Sequence, residues 1–145
     1  MALNIARTER FIKRLKSLPI EQLDMSDWCL IDREKETIAQ ARTNECGTAA
    51  CAAGHIVLMF APKTWTVKLT DDPYPWRLDG AADLFDANGK KLAWPDAAKK
   101  LLNLSDNQAS IFWDVAASKD EVVQHFEKIV ARAKRYQREK ENSRN

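Results

Sequence analysis

The chain has no run of about eighteen apolar residues, the length a membrane-spanning helix needs. It also has no glycine- or serine-rich linker and no internal repeat. Its opening stretch, Met1 to Lys16, interleaves apolar side chains with Arg and Lys, so the unbroken apolar core of a secretory signal is missing. Soft ligands are few: three cysteines, Cys29, Cys46 and Cys51, and two histidines, His55 and His125. Three cysteines cannot all pair within one chain. Together these absences exclude a membrane span and a disulfide-stapled secreted scaffold. They point to a cytoplasmic protein with reduced thiols.

What is present suits one folded unit. At 145 residues and 45% hydrophobic, the chain can bury a core without staples, and 30% charged residues keep it in solution. We expect a single globular domain over residues 1–140 and a frayed tail over 141–145.

Charge is unevenly placed. Residues 1–17 carry Arg7, Arg10, Lys13, Arg14 and Lys16 against Glu9, a net of +4. Residues 128–145 carry seven basic side chains against Glu139 and Glu141, a net of +5. With +2 over the whole chain, the middle must hold −7. Basic ends on an acidic body are the strongest global charge signal.

The local pattern predicts an α+β fold: a mostly helical single domain of about five helices with a small antiparallel β-hairpin or three-stranded sheet. Ile5, Phe11, Ile12, Leu15 and Leu18 form a helical stripe that Pro19 stops, giving a helix over residues 3–17. Residues 31–43 are polar and read as a short helix or loop. Thr48 reads as the N-cap of a helix that ends near residue 60, before Pro62. Residues 65–69 alternate and read as a strand. Segments 82–86 and 90–94 flank Asn88-Gly89, a tight-turn signal for a hairpin. Pro95 opens a helix to about residue 102. Ser105–Gln108 and Ser118–Glu121 are capping boxes, for helices ending near 116 and 140.

The most distinctive segment is Cys46-Gly47-Thr48-Ala49-Ala50-Cys51-Ala52-Ala53-Gly54-His55. Cys51 and His55 share a helix face at i, i+4 spacing. With Cys46 they form a countable metal or nucleophile set, although no standard zinc spacing appears. Cys46 is the better placed thiol for activation by a helix N-terminus. The plainer reading makes both cysteines small core residues, with Gly47 and Gly54 allowing close packing.

This segment, taken with Leu101-Leu102-Asn103-Leu104-Ser105-Asp106-Asn107-Gln108, resembles a group of short uncharacterised bacterial and phage proteins. These pair a Cys-Gly-Thr-x-x-Cys-x-x-Gly helix with a later Leu-x-Leu-Ser-x-x-Gln helix. The resemblance covers roughly residues 27 to 113. It implies one domain and a mobile-element context, and it implies no activity.

Two surfaces remain as partner sites. On the last helix Lys128, Arg132 and Arg135 share a face with Tyr136 nearby, a pattern suited to nucleic acid. Between residues 71 and 86, five aspartates stand against Arg77 alone, with Tyr74 and Trp76 among them and Pro73 and Pro75 limiting the loop. Rigid aromatic groups in an acidic field suit a basic protein partner.

The expected function is therefore that of a non-enzymatic accessory protein. It would bind a protein partner through Asp71, Asp72, Tyr74, Trp76, Asp79 and Asp83, with Trp65 and Trp94 beside them, and need no cofactor or metal. The alternatives are a small cysteine- or metal-dependent enzyme using Cys46, Cys51 and His55, and a nucleic-acid-binding protein using its basic terminal helices.

Overall fold

The computed structural model of the chain describes residues 2–19, 23, 25, 29–31, 35–38, 49–69 and 80–143. Helix α1, Ile5–Ser17, starts where Asn4 caps it: the Asn4 Oδ1 accepts from the Arg7 N–H at 3.1 Å. Its apolar stripe is buried at Phe11, Ile12 and Leu15, and the helix stops just before Pro19.

Helix α2, Ala52–Phe60, is shorter than the sequence suggested. Ala49–Ala50 is a strand, and Cys51 rather than Thr48 occupies the N-cap. A backbone already paired along a strand cannot also coil, so the helix begins one residue past Cys51. Thr48 itself lies outside the described residues. The α2 residues from Ala52 to Leu58 are all buried, as their uniformly small or apolar character requires.

Helix α3, Trp94–Leu102, carries Pro95 in its first turn and ends on Asn103 in the left-handed region, φ 54°. Helix α4, Asp106–Ala109, starts with the full capping box. Ser105 Oγ accepts from the Gln108 N–H, and Gln108 Oε1 accepts from the Ser105 N–H. It tightens into a 3₁₀ turn over Ser110–Trp113 instead of continuing to residue 116. Helix α5, Lys119–Ser143, extends past the expected end near residue 140. Ser118 Oγ accepts from the Glu121 N–H at its start.

The strands are β1 (Cys29–Ile31), β2 (Lys35–Thr37), β3 (Ala49–Ala50), β4 (Thr66–Leu69), β5 (Gly80–Phe85) and β6 (Lys91–Leu92). An antiparallel core, β2-β4-β5, sets Thr37 beside Thr66 and Val67 beside Leu84. The remaining edge of β5 takes β1 near Ala81 and β6 near Leu84, and β3 adds to β1. The polar segment expected as helix or loop over 31–43 therefore contributes β2, because β4 offers it an open edge. The hairpin at Asn88-Gly89 forms. Only Gly89 takes positive φ there, +79°, with its N–H bonded to the Asp86 carbonyl at 3.0 Å.

Helix α2 packs on α3 and α1 packs on α5, above a core that reaches the sheet through Val67 and Leu84. Phe11 of α1 meets Phe126 of α5 edge-to-face at 5.1 Å, and Phe112 completes the cluster at 6.3 Å. Among the described residues no helix is long and apolar enough to cross a membrane.

Candidate functional site

The acidic aromatic stretch runs from Asp71 to Asp86. Asp71, Asp72, Tyr74, Trp76 and Asp79 lie outside the described residues. Its C-terminal part is, in contrast, ordinary sheet structure. Asp83 sits half-buried on β5 with its carboxylate 3.4 Å from the Lys91 Nζ. Asp86 Oδ1 accepts from the backbone N–H groups of Asn88 and Lys90, both at 2.9 Å, and so organises the turn. Trp94 is buried, 4% exposed, and its Nε1–H donates to the Ala82 carbonyl at 2.9 Å. The expectation that Trp94 lies on a partner-facing surface is corrected: its indole N–H ties α3 to β5. Trp65 is half-buried and lines a pocket of about 520 Å³ with Arg7 and Lys100.

From Cys51 to His55 the cysteine segment is built into the core. Cys51 is fully buried, and its Sγ accepts from the Gly54 N–H at 3.4 Å. Met25 Sδ accepts from the Ala52 N–H, also at 3.4 Å, so two sulfurs satisfy the first amides of α2. It is thus Cys51, not Cys46, that stands at a described helix N-terminus. His55 is 5% exposed in the same helix. Cys46 lies outside the described residues. Among the described residues no three His, Cys, Asp or Glu side chains converge as metal ligands.

The basic ends are brought together. Lys16 of α1 reaches Glu127 of α5 at 3.4 Å, and Lys134 of α5 reaches Glu9 of α1 at 3.2 Å, so the two helices run antiparallel. Lys119 Nζ also donates to the carbonyls of Lys16 and Leu18, closing the C-terminal end of α1 with a cation. These ion pairs are exposed and contribute little stability, roughly 0–1 kcal/mol each. The aromatic cluster beneath them holds the helices together, and the pairs fix their register.

Besides the seam's Lys134, α5 carries Lys128, Arg132, Arg135 and Arg138 between Glu127 and Glu139 with no acid among them, and all are exposed. Among the described residues Lys128, Arg132, Arg135 and Arg138 make no ion pair. On α1, Arg10 and Lys13 are exposed as well, and the Arg10 guanidinium lies 5.3 Å from the Phe60 ring centre. The shared face of Lys128, Arg132 and Arg135 was readable from helical spacing. That the basic α1 would lie against α5 was not, because nothing local records which distant helix α5 packs against.

No protein-family model, curated protein or solved structure matches the chain.

Proposed function

We propose that this protein is a nucleic-acid-binding accessory protein whose contact face is the exposed side of the α1–α5 pair. One observation carries the reading. Two basic segments more than a hundred residues apart in sequence lie antiparallel and side by side, joined at Lys16–Glu127 and Lys134–Glu9. Exposed cations with no carboxylate partner attract phosphates and release condensed counterions on contact. From Lys128 to Arg138 the helix rises about 15 Å, enough to follow about four phosphates of one strand. In the acidic middle, Asp83 pairs with Lys91, Asp86 accepts from turn amides and Asp106 pairs with Lys99, so these carboxylates are held on elements other than the α1–α5 pair. The reading through an acidic aromatic surface over residues 71–86 and a basic protein partner rests mainly on Asp71, Asp72, Tyr74, Trp76 and Asp79, which lie outside the described residues.

The test is binding of labelled oligonucleotides across a salt series. Affinity should fall linearly on a log–log plot, with a slope corresponding to about three to five phosphates. Replacing Lys128, Arg132 and Arg135 together by Glu should lower affinity at least about a hundredfold, while the melting temperature stays within a few degrees. Binding that ignores salt, or a charge-reversed variant that binds as well as the native chain, would sink the proposal.

A further inference from the structure

Beside the cationic crest of α5 runs a trough between this helix and the α3–α4 connection. Its larger part, about 560 Å³, takes apolar lining from Leu3, Ile5, Leu104 and Ile129. Arg132, Tyr136 and Gln108 line it as well, among other polar side chains. A smaller part of about 220 Å³ adjoins it, sharing Gln108, Ile129 and Arg132 and adding Lys128 and His125. His125 Nε2–H donates to the Gln108 carbonyl at 2.7 Å, which ties α5 to α4 and sets the width of the trough.

Three features of this trough select a ligand. Tyr136 is 63% exposed, a large aromatic left in water beside an apolar lining, one helical turn from Arg132. Gln108 commits its Oε1 to the Ser105 N–H, which leaves its amide NH₂ to face a ligand as a donor. Lys128 and Arg132 line the trough, and Arg135 follows on the same helix face at phosphate-tracking spacing. A flat aromatic group joined to an anion satisfies all three: ring on Tyr136, edge acceptor at Gln108, phosphates on the cations. The volume lies within the range of about 300–1,000 Å³ of pockets that enclose small ligands.

We propose that this trough is a base-binding site, so that the protein takes single-stranded nucleic acid in preference to duplex. The inference rests on the nucleic-acid reading above. In a duplex the bases are stacked inside and only the backbone can reach the crest. In a single strand a base can turn out and stack on Tyr136 while its neighbours' phosphates follow α5.

The experiment compares a labelled oligothymidine strand of about twelve nucleotides with a duplex of the same length, by fluorescence anisotropy at fixed salt. The native chain should prefer the single strand. Tyr136→Ala should weaken single-strand binding about tenfold, the loss of one stacking contact, and leave duplex binding and melting temperature unchanged. Tyr136→Phe should keep the preference, because the ring remains. If Tyr136→Ala weakens both ligands equally, or neither, the trough does not take bases, although the cationic face still binds. If polyglutamate competes as well as the oligonucleotide, the trough reads charge alone and the inference falls. If the native chain binds neither oligonucleotide, the nucleic-acid reading fails, and this inference with it.

Discussion

Asp86 and Arg132 are both charged side chains, and the structure uses them in opposite ways. Asp86 turns back on its own hairpin and accepts from the amides of Asn88 and Lys90. Arg132 stands on an exposed helix face and makes no ion pair among the described residues. The contrast extends to their neighbourhoods. In the acidic middle of the chain Asp83 meets Lys91 across the hairpin, and Asp106 meets Lys99 of α3. Along α5, Lys134 is taken by Glu9, while Lys128, Arg132, Arg135 and Arg138 make no ion pair among the described residues. Net charge per segment therefore misleads about binding. A charge used inside the fold stabilises structure, and only a charge left in solvent remains for a partner.

The largest expected effect comes from removing what holds the basic face together. Phe126 is fully buried between Phe11 and Phe112. Phe126→Ala should cost about 3–5 kcal/mol in denaturant unfolding and separate α1 from α5. Nucleic-acid affinity should drop with it wherever the fold is loosened. A variant that unfolds easily yet binds at full strength would mean that α5 alone carries the face, and the pairing with α1 would lose its importance.

A smaller loss is expected on the acidic side. Asp86→Ala removes two hydrogen bonds to backbone amides and should cost about 1–2 kcal/mol, with nucleic-acid binding unchanged. A clear gain in affinity would show that Asp86 repels the ligand from solvent, and the division between used and open charges would break at that residue.

How much of this was legible in sequence depends on how local each feature is. The caps at Ser105 and Ser118, the stops before Pro19 and Pro62 and the glycine turn at Gly89 were all readable, because each acts within about four residues. The start of α2 was not. Ala49-Ala50 has good helical composition, yet β1 pairs with it as a strand. Trp94 failed for the same reason: its partner is the Ala82 carbonyl on a strand across the hairpin. On the candidate site, spacing alone placed Lys128, Arg132 and Arg135 on one face. The trough beside them needs Leu3, Leu104 and Gln108, which lie on other segments.

The smallest expected effect sharpens the comparison at an exposed pair. Lys99 beside Asp106 holds its carboxyl below the usual carboxylate range, by hydrogen bond and charge. A folded-state value below the unfolded one means that this contribution is present above the unfolded value, about 3.9. It is lost as pH falls through the folded value. Asp106→Asn should therefore lower the melting temperature slightly at neutral pH, and the difference should shrink as the solution is acidified below about 4. A difference independent of pH would trace the effect to the helix start rather than to the ion pair.

The amino-acid sequence by itself determined where most helices begin and end, where the hairpin turns and that both ends of the chain are basic. These follow from side chains acting on their own backbone, or from counting. Only the tertiary structure decided that Lys35–Thr37 and Ala49–Ala50 are strands, that Cys51 rather than Thr48 caps α2, and that the two basic helices lie against each other. A strand exists only when a partner satisfies its amides and carbonyls, and a shared face exists only when a core draws two helices together. Both conditions are met by residues far away in the chain, here by β4 and β1 in the sheet and by Phe11 and Phe126 beneath the seam.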